Sequence, residues 1–292
     1  MLYMKKHIPT LCSSLLISLF FLPFILSCEK EITIDLPSAE NKIVVEGYIE
    51  NGEHPYVMLS KTAPYFAPLD SSSLQQYGVK GALVTVSDGV TADTLKEIIP
   101  GFFYQAFNMK GEAGKTYTLR VESGEQSLTA QTLIPALLPL DSVWFSTEGK
   151  KDSLGYLWCL ITDPPSYGNC YKYMVKRLNK DKDFLASFGS VFEDKFINGK
   201  NFKFYIERGW ERGGNAESEA PGEWGYFKKG DTIVLKWSTI DQATFDFWRL
   251  AEVESNSNGN PFASPTTIKT NISGGIGIWG GYGTVYDTVI AK

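Results

Sequence analysis

The stretch Lys42-Ile-Val-Val-Glu-Gly-Tyr-Ile49 alternates between residues suited to a core and residues suited to a surface. A period of two places successive side chains on opposite faces of a β-strand. Further runs that read as strands follow at Tyr56–Leu59, Ala82–Val86, Phe102–Ala106, Thr116–Val121 and Leu128–Leu133. Short strands at this spacing, with no helical pattern between them, predict an antiparallel β-sandwich.

A short apolar linker, Ile134–Pro139, begins and ends close to a proline and closes this first series of strands. Beyond it, strands are predicted at Ser142–Phe145, Tyr156–Thr162, Tyr171–Arg177, Phe202–Ile206, Ile233–Trp237 and, rich in glycine, Ile276–Ile290. The linker therefore predicts two β-sandwich-like domains, residues 38–136 and 137–292. The fold class expected is mainly β and antiparallel, with one short helix in the C-terminal domain.

That helix is predicted from about Thr239 to Val253. Ser238 and Thr239 supply capping hydroxyls just before Asp241. The spacing of Phe245 and the apolar residues that follow it approximates the 3.6-residue period of a helix face.

The N-terminus has the pattern of an export signal. Lys5 and Lys6 are followed by Leu15–Leu26, a largely apolar run of twelve residues. This run is too short for a transmembrane helix, which needs about 20 residues, but it fits the hydrophobic region of a secretory signal. Residues 1–27 are therefore predicted to be a signal peptide.

The residues that end this signal are typical of a lipobox. Ile25-Leu26-Ser27-Cys28 places a small residue at the cleavage point and a thiol directly after it. Lipidation needs that thiol, because the lipid is attached to sulfur. We therefore predict an exported chain, anchored by lipid on Cys28 through a tether of residues 28–37.

Few residues suit catalysis or metal binding. After residues 1–27 are removed, His54 is the one histidine left, and its setting in Asn51-Gly-Glu-His-Pro55 predicts a hairpin loop. A zinc site built from histidines is therefore not expected, and neither is a catalytic triad. The formal net charge of −5 lacks the basic footprint of a nucleic-acid-binding protein.

The run Gly275-Ile-Gly-Ile-Trp-Gly280 matches the G-x-G-x-x-G pattern of dinucleotide sites. Such a site needs a helix after the glycines, with an acidic residue about 20 positions later, and the chain has neither here. We therefore expect no nucleotide and no other cofactor. The glycines instead predict a closing strand that passes close to Trp279 or to a neighbouring backbone.

Cys159 and Cys170 have two interpretations. In an oxidising compartment they form a disulfide that closes a short loop between neighbouring strands. Alternatively, they are two buried thiols that act as small apolar side chains. The sequence favours neither.

The segment from Glu207 to Tyr226 is a long polar loop that carries glycines and two tryptophans. Trp, Tyr and Arg dominate the contact energy of protein interfaces, and aromatic faces also stack on sugars. The hypothesis for a binding site therefore names Arg208, Trp210, Trp224 and Tyr226. The competing interpretation, which the sequence favours, is that the tryptophans fold back onto the sandwich.

Both ends of the mature chain carry a family resemblance. The matching runs are Cys28–Pro37, Ile43–Ile49, Val57–Thr62 and, within Asp241–Gly283, Phe247-Trp248, Asn260-Pro-Phe262, Pro265, Asn271-Ile272 and Gly275–Trp279. They resemble the Bacteroidota lipoproteins called domain of unknown function 4249. The resemblance implies an outer-membrane or surface lipoprotein, often encoded beside a TonB-dependent receptor. It implies no known activity and no catalytic residues.

The first predicted domain is also similar to transthyretin-like, carboxypeptidase-regulatory-like sandwiches. The resemblance lies in Gly114–Val121, where Tyr117 stands at the position of a tyrosine corner.

Taken together, these features favour a non-enzymatic binding or accessory module. Its expected partners are a membrane, through the lipid, and an outer-membrane transporter. A surface hydrolase acting on glycans is one alternative, because carboxylates and aromatic residues are plentiful. A structural or adhesive surface protein is the other. The periplasmic face and the cell surface both remain open as the location.

Overall fold

A computed structural model describes residues 41–64, 73–149, 152–209, 223–257 and 266–292. The predicted signal peptide (1–27) and the tether (28–37), with Cys28, lie outside the described residues. These described residues belong to one compact unit. Its secondary structure is mainly β, which confirms the predicted fold class.

The strands are β1 (Ile43–Glu50), β2 (Tyr56–Lys61), β3 (Leu83–Ser87), β4 (Ala92–Thr94), β5 (Lys96–Ile99), β6 (Phe103–Gln105), β7 (Thr116–Ser123), β8 (Gln126–Leu133), β9 (Ser142–Thr147), β10 (Leu154–Thr162), β11 (Cys170–Arg177), β12 (Val191–Glu193), β13 (Asn201–Ile206), β14 (Phe227–Lys228), β15 (Thr232–Ile240) and β16 (Ile276–Ile290). The α-helix of the described residues is α1 (Gln242–Ser257). Every predicted strand is present. The sequence missed β4, β5, β12 and β14, because two to four residues are too few to show an alternation.

The largest sheet has eight strands in the order β12-β11-β15-β16-β1-β2-β6-β5. Strand β16 lies near the middle of this sheet and has one parallel and one antiparallel neighbour. Its first half runs parallel to β1, from Val44 opposite Ile276 to Glu50 opposite Tyr282. Its second half runs antiparallel to β15, as far as Thr232 opposite Ile290. The parallel pair is an exception to the antiparallel arrangement that the sequence predicts.

Two smaller sheets cover the inner face of the eight-stranded sheet. The first has the order β4-β3-β7-β8 and packs against β1 and β2 through a buried cluster that includes Val45, Leu59 and Leu119. The second contains β13, β10 and β14, with β9 also paired to β10. It packs against β11 and β15 through a cluster that includes Leu157 and Trp237. Burial of these apolar faces stabilises the sandwich.

The predicted boundary at residues 136 and 137 lies in the connection from β8 to β9. The eight-stranded sheet takes strands from both sides of this boundary, and β16 contributes Trp279 to the first cluster, while Val289 packs against the second. The structure thus has two apolar clusters under one sheet. Folding of residues 38–136 and 137–292 as separate domains stays a prediction.

The glycines of β16 and of the residues just before it allow close backbone packing, as the sequence predicts. A Cβ on Gly277, whose φ is 117°, would overlap the carbonyl oxygen of Val45. A Cβ on Gly281 would overlap the carbonyl oxygen of Leu133, and one on Gly283 would lie 2.5 Å from that of Pro135. Any side chain here would push β16 away from β1 or from the linker.

Hydrogen bonds of an indole and of a phenol group stabilise the packing of β16 against β7. The indole N–H of Trp279 donates to the carbonyl oxygen of Tyr117 at 3.0 Å, which ties β16 to β7. The hydroxyl of Tyr117 accepts from the backbone N–H of Glu112 at 2.8 Å. This bond to upstream backbone confirms the predicted tyrosine corner.

Helix α1 begins later than predicted, because Ser238 and Thr239 belong to β15. The cap is Asp241, whose carboxylate accepts from the backbone N–H of Thr244 at 2.8 Å. The same carboxylate accepts from the hydroxyl of Thr132 on β8 at 2.7 Å. A carboxylate at a helix N-terminus satisfies free N–H groups, and here it also joins the helix to the first small sheet.

The disulfide alternative is not formed in the structure, where Cys159 and Cys170 are free and buried thiols. Cys159 lies in the cluster beneath the second small sheet, whereas Cys170 lies in the cluster beneath α1. The two side chains therefore belong to different apolar environments and act as small hydrophobic groups. Burial raises the pKa of the Cys170 thiol to about 12.

We expect Gly277→Ala to lower the free energy of unfolding by about 3 kcal/mol, because the new methyl group meets backbone at a left-handed φ. Gly89→Ala is the matched control: its φ is 88°, but no atom lies within 4 Å of the added Cβ. It should cost about 1 kcal/mol, from backbone strain alone. Urea unfolding measures both. Equal losses would show that close packing of β16 is not what requires glycine.

Candidate functional site

The second small sheet carries a group of aromatic side chains on its outer surface. We call this group the aromatic face; it comprises Trp144 on β9, Tyr156 and Trp158 on β10, Tyr205 on β13 and Tyr226 just before β14. Tyr205 is 47% exposed, and the other members are half-buried.

The alternation of β10 places these rings outside. Leu157, Cys159 and Ile161 point inward and are buried. Tyr156 and Trp158 lie between them in sequence and therefore point to the opposite side. Strand pairing then sets Trp144 and Tyr205 on either side of Trp158.

Four of these five rings, those of Tyr226, Tyr156, Tyr205 and Trp158, contact one another in a continuous row. The ring centres of Tyr156 and Tyr226 are 4.8 Å apart, and those of Tyr156 and Tyr205 are 4.7 Å apart; both pairs are stacked. Tyr205 then contacts Trp158 at 5.4 Å. Such contacts restrict side-chain rotation, so that little conformational entropy remains to be lost when a partner binds.

A lysine completes the row at its tryptophan end. The Lys203 ammonium lies 4.4 Å from the ring centre of Trp158 and 5.1 Å from that of Trp144. Lys203 is itself exposed. The row therefore offers apolar ring surface together with one fixed positive charge.

Arg208, one of the predicted contact residues, is a structural residue instead. It is 6% exposed, and its Nε–H donates to the carbonyl oxygen of Tyr226 at 3.1 Å. Its backbone N–H donates to the carbonyl oxygen of Gly225 at 2.9 Å. Arg208 therefore holds the turn that carries Tyr226. Its burial disfavours the predicted contact with a partner, and that contact stays a prediction.

Of the other three predicted contact residues, the structure describes two. Tyr226 belongs to the aromatic face, and Trp224, in the turn before it, is 47% exposed. Because Trp224 is also about half buried, the two interpretations of this residue both stay predictions. Trp210 lies outside the described residues.

Sequence reasoning missed most of the aromatic face. Tyr156 and Trp158 alternate with aliphatic residues, and this was a readable signal that β10 has two apolar sides. The neighbours Trp144 and Tyr205 lie 14 and 47 residues from Trp158 along the chain. Their place beside Trp158 depends on strand pairing, which no local pattern shows.

The chemistry of the aromatic face suits binding. Burial, together with the neighbouring Tyr226, raises the pKa of the Tyr156 phenol. Among the described residues, no group of three or more His, Cys, Asp and Glu is placed to hold a metal ion. His54 lies in the predicted hairpin loop, where its Nδ1 bonds the carbonyl oxygen of Met109 at 2.7 Å.

We expect Arg208→Ala to lower the free energy of unfolding by about 2 kcal/mol, because it removes a buried charged donor. Trp224→Ala should change it by less than about 0.5 kcal/mol, since the side chain is half exposed. Urea unfolding of both variants distinguishes a structural residue from a surface one. A larger loss for Trp224→Ala than for Arg208→Ala would reverse these assignments.

No helix in the described ranges combines the length and apolar character needed to cross a membrane. No curated protein sequence matches the chain. A family model does match: it bears the description "Domain of unknown function (DUF4249)" and covers residues 29–287. The match extends through every strand of the three sheets, from β1 into β16. This chain therefore belongs to the DUF4249 family.

Proposed function

We propose that this protein is an exported lipoprotein that acts as a non-enzymatic binding module at the bacterial outer membrane or cell surface. Its partner in this proposal is a TonB-dependent outer-membrane transporter. The observation that carries the proposal is the aromatic face, a half-exposed row of tyrosines and tryptophans on a rigid sheet.

Anchoring is supported by the sequence at the start of the chain. The lipobox Ile25–Cys28 follows an apolar run too short to span a bilayer. The DUF4249 match begins at residue 29, directly after Cys28. In this proposal, residues 28–37 are the tether between the lipid and the folded body.

A protein partner is supported by the composition of the aromatic face. Binding energy at protein interfaces is concentrated in clustered Trp, Tyr and Arg side chains that lose water on contact. In this row the tyrosine rings stack on each other, so that apolar ring surface and phenol groups lie side by side. This combination suits the mixed apolar and polar surface of another protein.

A membrane anchor also favours such a partner. Tethering confines the module to the surface in which a transporter lies, and this raises their effective concentration. A modest interface is then enough for association. A TonB-dependent transporter is the proposed partner because the family resemblance implies that such a receptor is often encoded beside the lipoprotein.

We expect Cys28→Ser to abolish incorporation of labelled fatty acid and to release the protein from the membrane fraction, because serine has no thiol for the lipid. Metabolic labelling and fractionation of cells measure the two effects. Cys12→Ser, within the signal peptide, is the control and should retain both. Unchanged labelling of the Cys28→Ser variant would refute the anchor.

We expect the double variant Trp158→Ala, Tyr205→Ala to reduce co-purification of a TonB-dependent transporter at least about tenfold, because both side chains lie at the centre of the row. The measurement is affinity capture from solubilised outer membrane, with quantitative mass spectrometry. The lipidated protein is used throughout.

Two controls accompany this capture. Tyr167→Ala removes a tyrosine that is 69% exposed and outside the row, and it should retain the transporter. Thermal unfolding of the double variant should confirm that it folds. Equal recovery of the transporter with the folded double variant would contradict the proposed role of the aromatic face.

A further inference from the structure

The outer face of the eight-stranded sheet holds two clefts on the side away from the small sheets. One has a volume of about 450 Å³ and is lined in part by Tyr48, Phe184 and Trp248. The other has a volume of about 310 Å³ and is lined in part by Tyr48, Glu53 and Tyr286. Both volumes lie in the range of ligand-binding clefts. Because Tyr48 lines both, we call the pair the outer groove.

The floor of the outer groove is held rigid. Tyr48 stacks on Tyr56 and on Tyr282, with ring centres 4.9 and 5.2 Å apart. The hydroxyl of Tyr282 accepts from the indole N–H of Trp248 on α1 at 2.8 Å. A site on strands and a packed helix keeps its shape before a ligand arrives.

Tyr286 is the exposed ring of the outer groove. It is 50% exposed, and its hydroxyl donates to the carboxylate of Glu50 at 2.7 Å, which fixes the ring. The same carboxylate accepts from the Lys236 ammonium at 2.5 Å. Burial, followed by the bond to Glu50, raises the pKa of the Tyr286 phenol.

The charged side chains that line the outer groove are five carboxylates and three lysines, namely Glu46, Glu50, Glu53, Asp183 and Glu252 with Lys172, Lys182 and Lys236. Lys236 pairs with Glu50, and the buried Lys172 ammonium lies 4.4 Å from the Trp248 ring centre. Gln105 and His54 add an amide and an imidazole to the lining. A wall of carboxylate, ammonium, amide and imidazole groups offers many hydrogen-bond donors and acceptors, with a small excess of negative charge.

We propose that the outer groove binds a neutral oligosaccharide. Hydroxyl groups both donate and accept, so they match a wall of carboxylates, amides and lysines. The half-exposed ring of Tyr286 supplies an apolar surface for the C–H face of a sugar ring. Two clefts that share Tyr48 suit a chain of linked sugars, with residues on either side of that ring. This site lies on another sheet from the aromatic face and is independent of it.

The test measures binding of four neutral hexasaccharides, from glucan, xylan, mannan and galactan, by isothermal titration calorimetry. The lipidated protein is kept in a detergent without a sugar headgroup. We expect at least one hexasaccharide to bind, with an affinity that changes less than about twofold between about 0.05 and 0.5 M NaCl, since no ion pair forms. Tyr286→Ala should weaken it at least about tenfold.

Three variants make the result specific. Tyr286→Phe keeps the ring and should lose less than about threefold in affinity. Glu53→Gln keeps the shape of the side chain and tests whether the Glu53 carboxylate accepts a hydrogen bond from the sugar. The double variant Trp158→Ala, Tyr205→Ala should bind sugar normally, because the aromatic face lies elsewhere. Thermal unfolding confirms that each variant is folded.

Several outcomes overturn the proposal. The first is that none of the four hexasaccharides binds. The second is that the wild type and a folded Tyr286→Ala variant bind with equal affinity. A third is binding confined to a charged probe, hexalysine, with strong salt dependence. Loss of transporter capture with intact sugar binding would instead reject the proposed function while leaving the outer groove established.

Discussion

The pairing of β16 with both β1 and β15 is the constraint on which the rest of the structure depends. One strand of fifteen residues takes a partner from early in the chain on one edge and a partner from late in the chain on the other. Backbone hydrogen bonds at this depth must all be satisfied, so neither partner can shift alone. The glycines near residues 277–283 are needed because the β8–β9 connection and β1 both press against this strand.

This central strand explains why two apolar clusters coexist under one sheet. Each small sheet covers the part of the inner face nearest to it in sequence, and β16 runs beneath both. The inner face is thereby filled with apolar side chains. Groups that can meet a ligand or a partner are left on the outward surfaces, namely the aromatic face of the second small sheet and the outer groove beside α1.

These two surfaces differ in chemistry, and the difference supports different ligands. The aromatic face presents stacked rings and one lysine, a combination suited to the surface of a protein. The outer groove is concave and lined by carboxylates, lysines, an amide and an imidazole, which suits hydroxyl groups. A lipid-anchored module with both surfaces would hold a small ligand beside a membrane partner. This combination follows from the two proposals and needs no further site.

The sequence by itself determined the longer strands, the close packing of the glycine-rich end and the tyrosine corner, because each leaves a local trace: a period of two, a run of glycines or a tyrosine at a fixed spacing. It placed the helix, but it misassigned the cap, since Ser238 and Thr239 have the chemistry of caps and yet lie in β15. Only the tertiary structure decided that β16 is parallel to β1, that Arg208 is buried, and that Trp144, Trp158 and Tyr205 lie together. These facts depend on pairings between residues far apart in the chain, whose energies arise only when the sheets assemble.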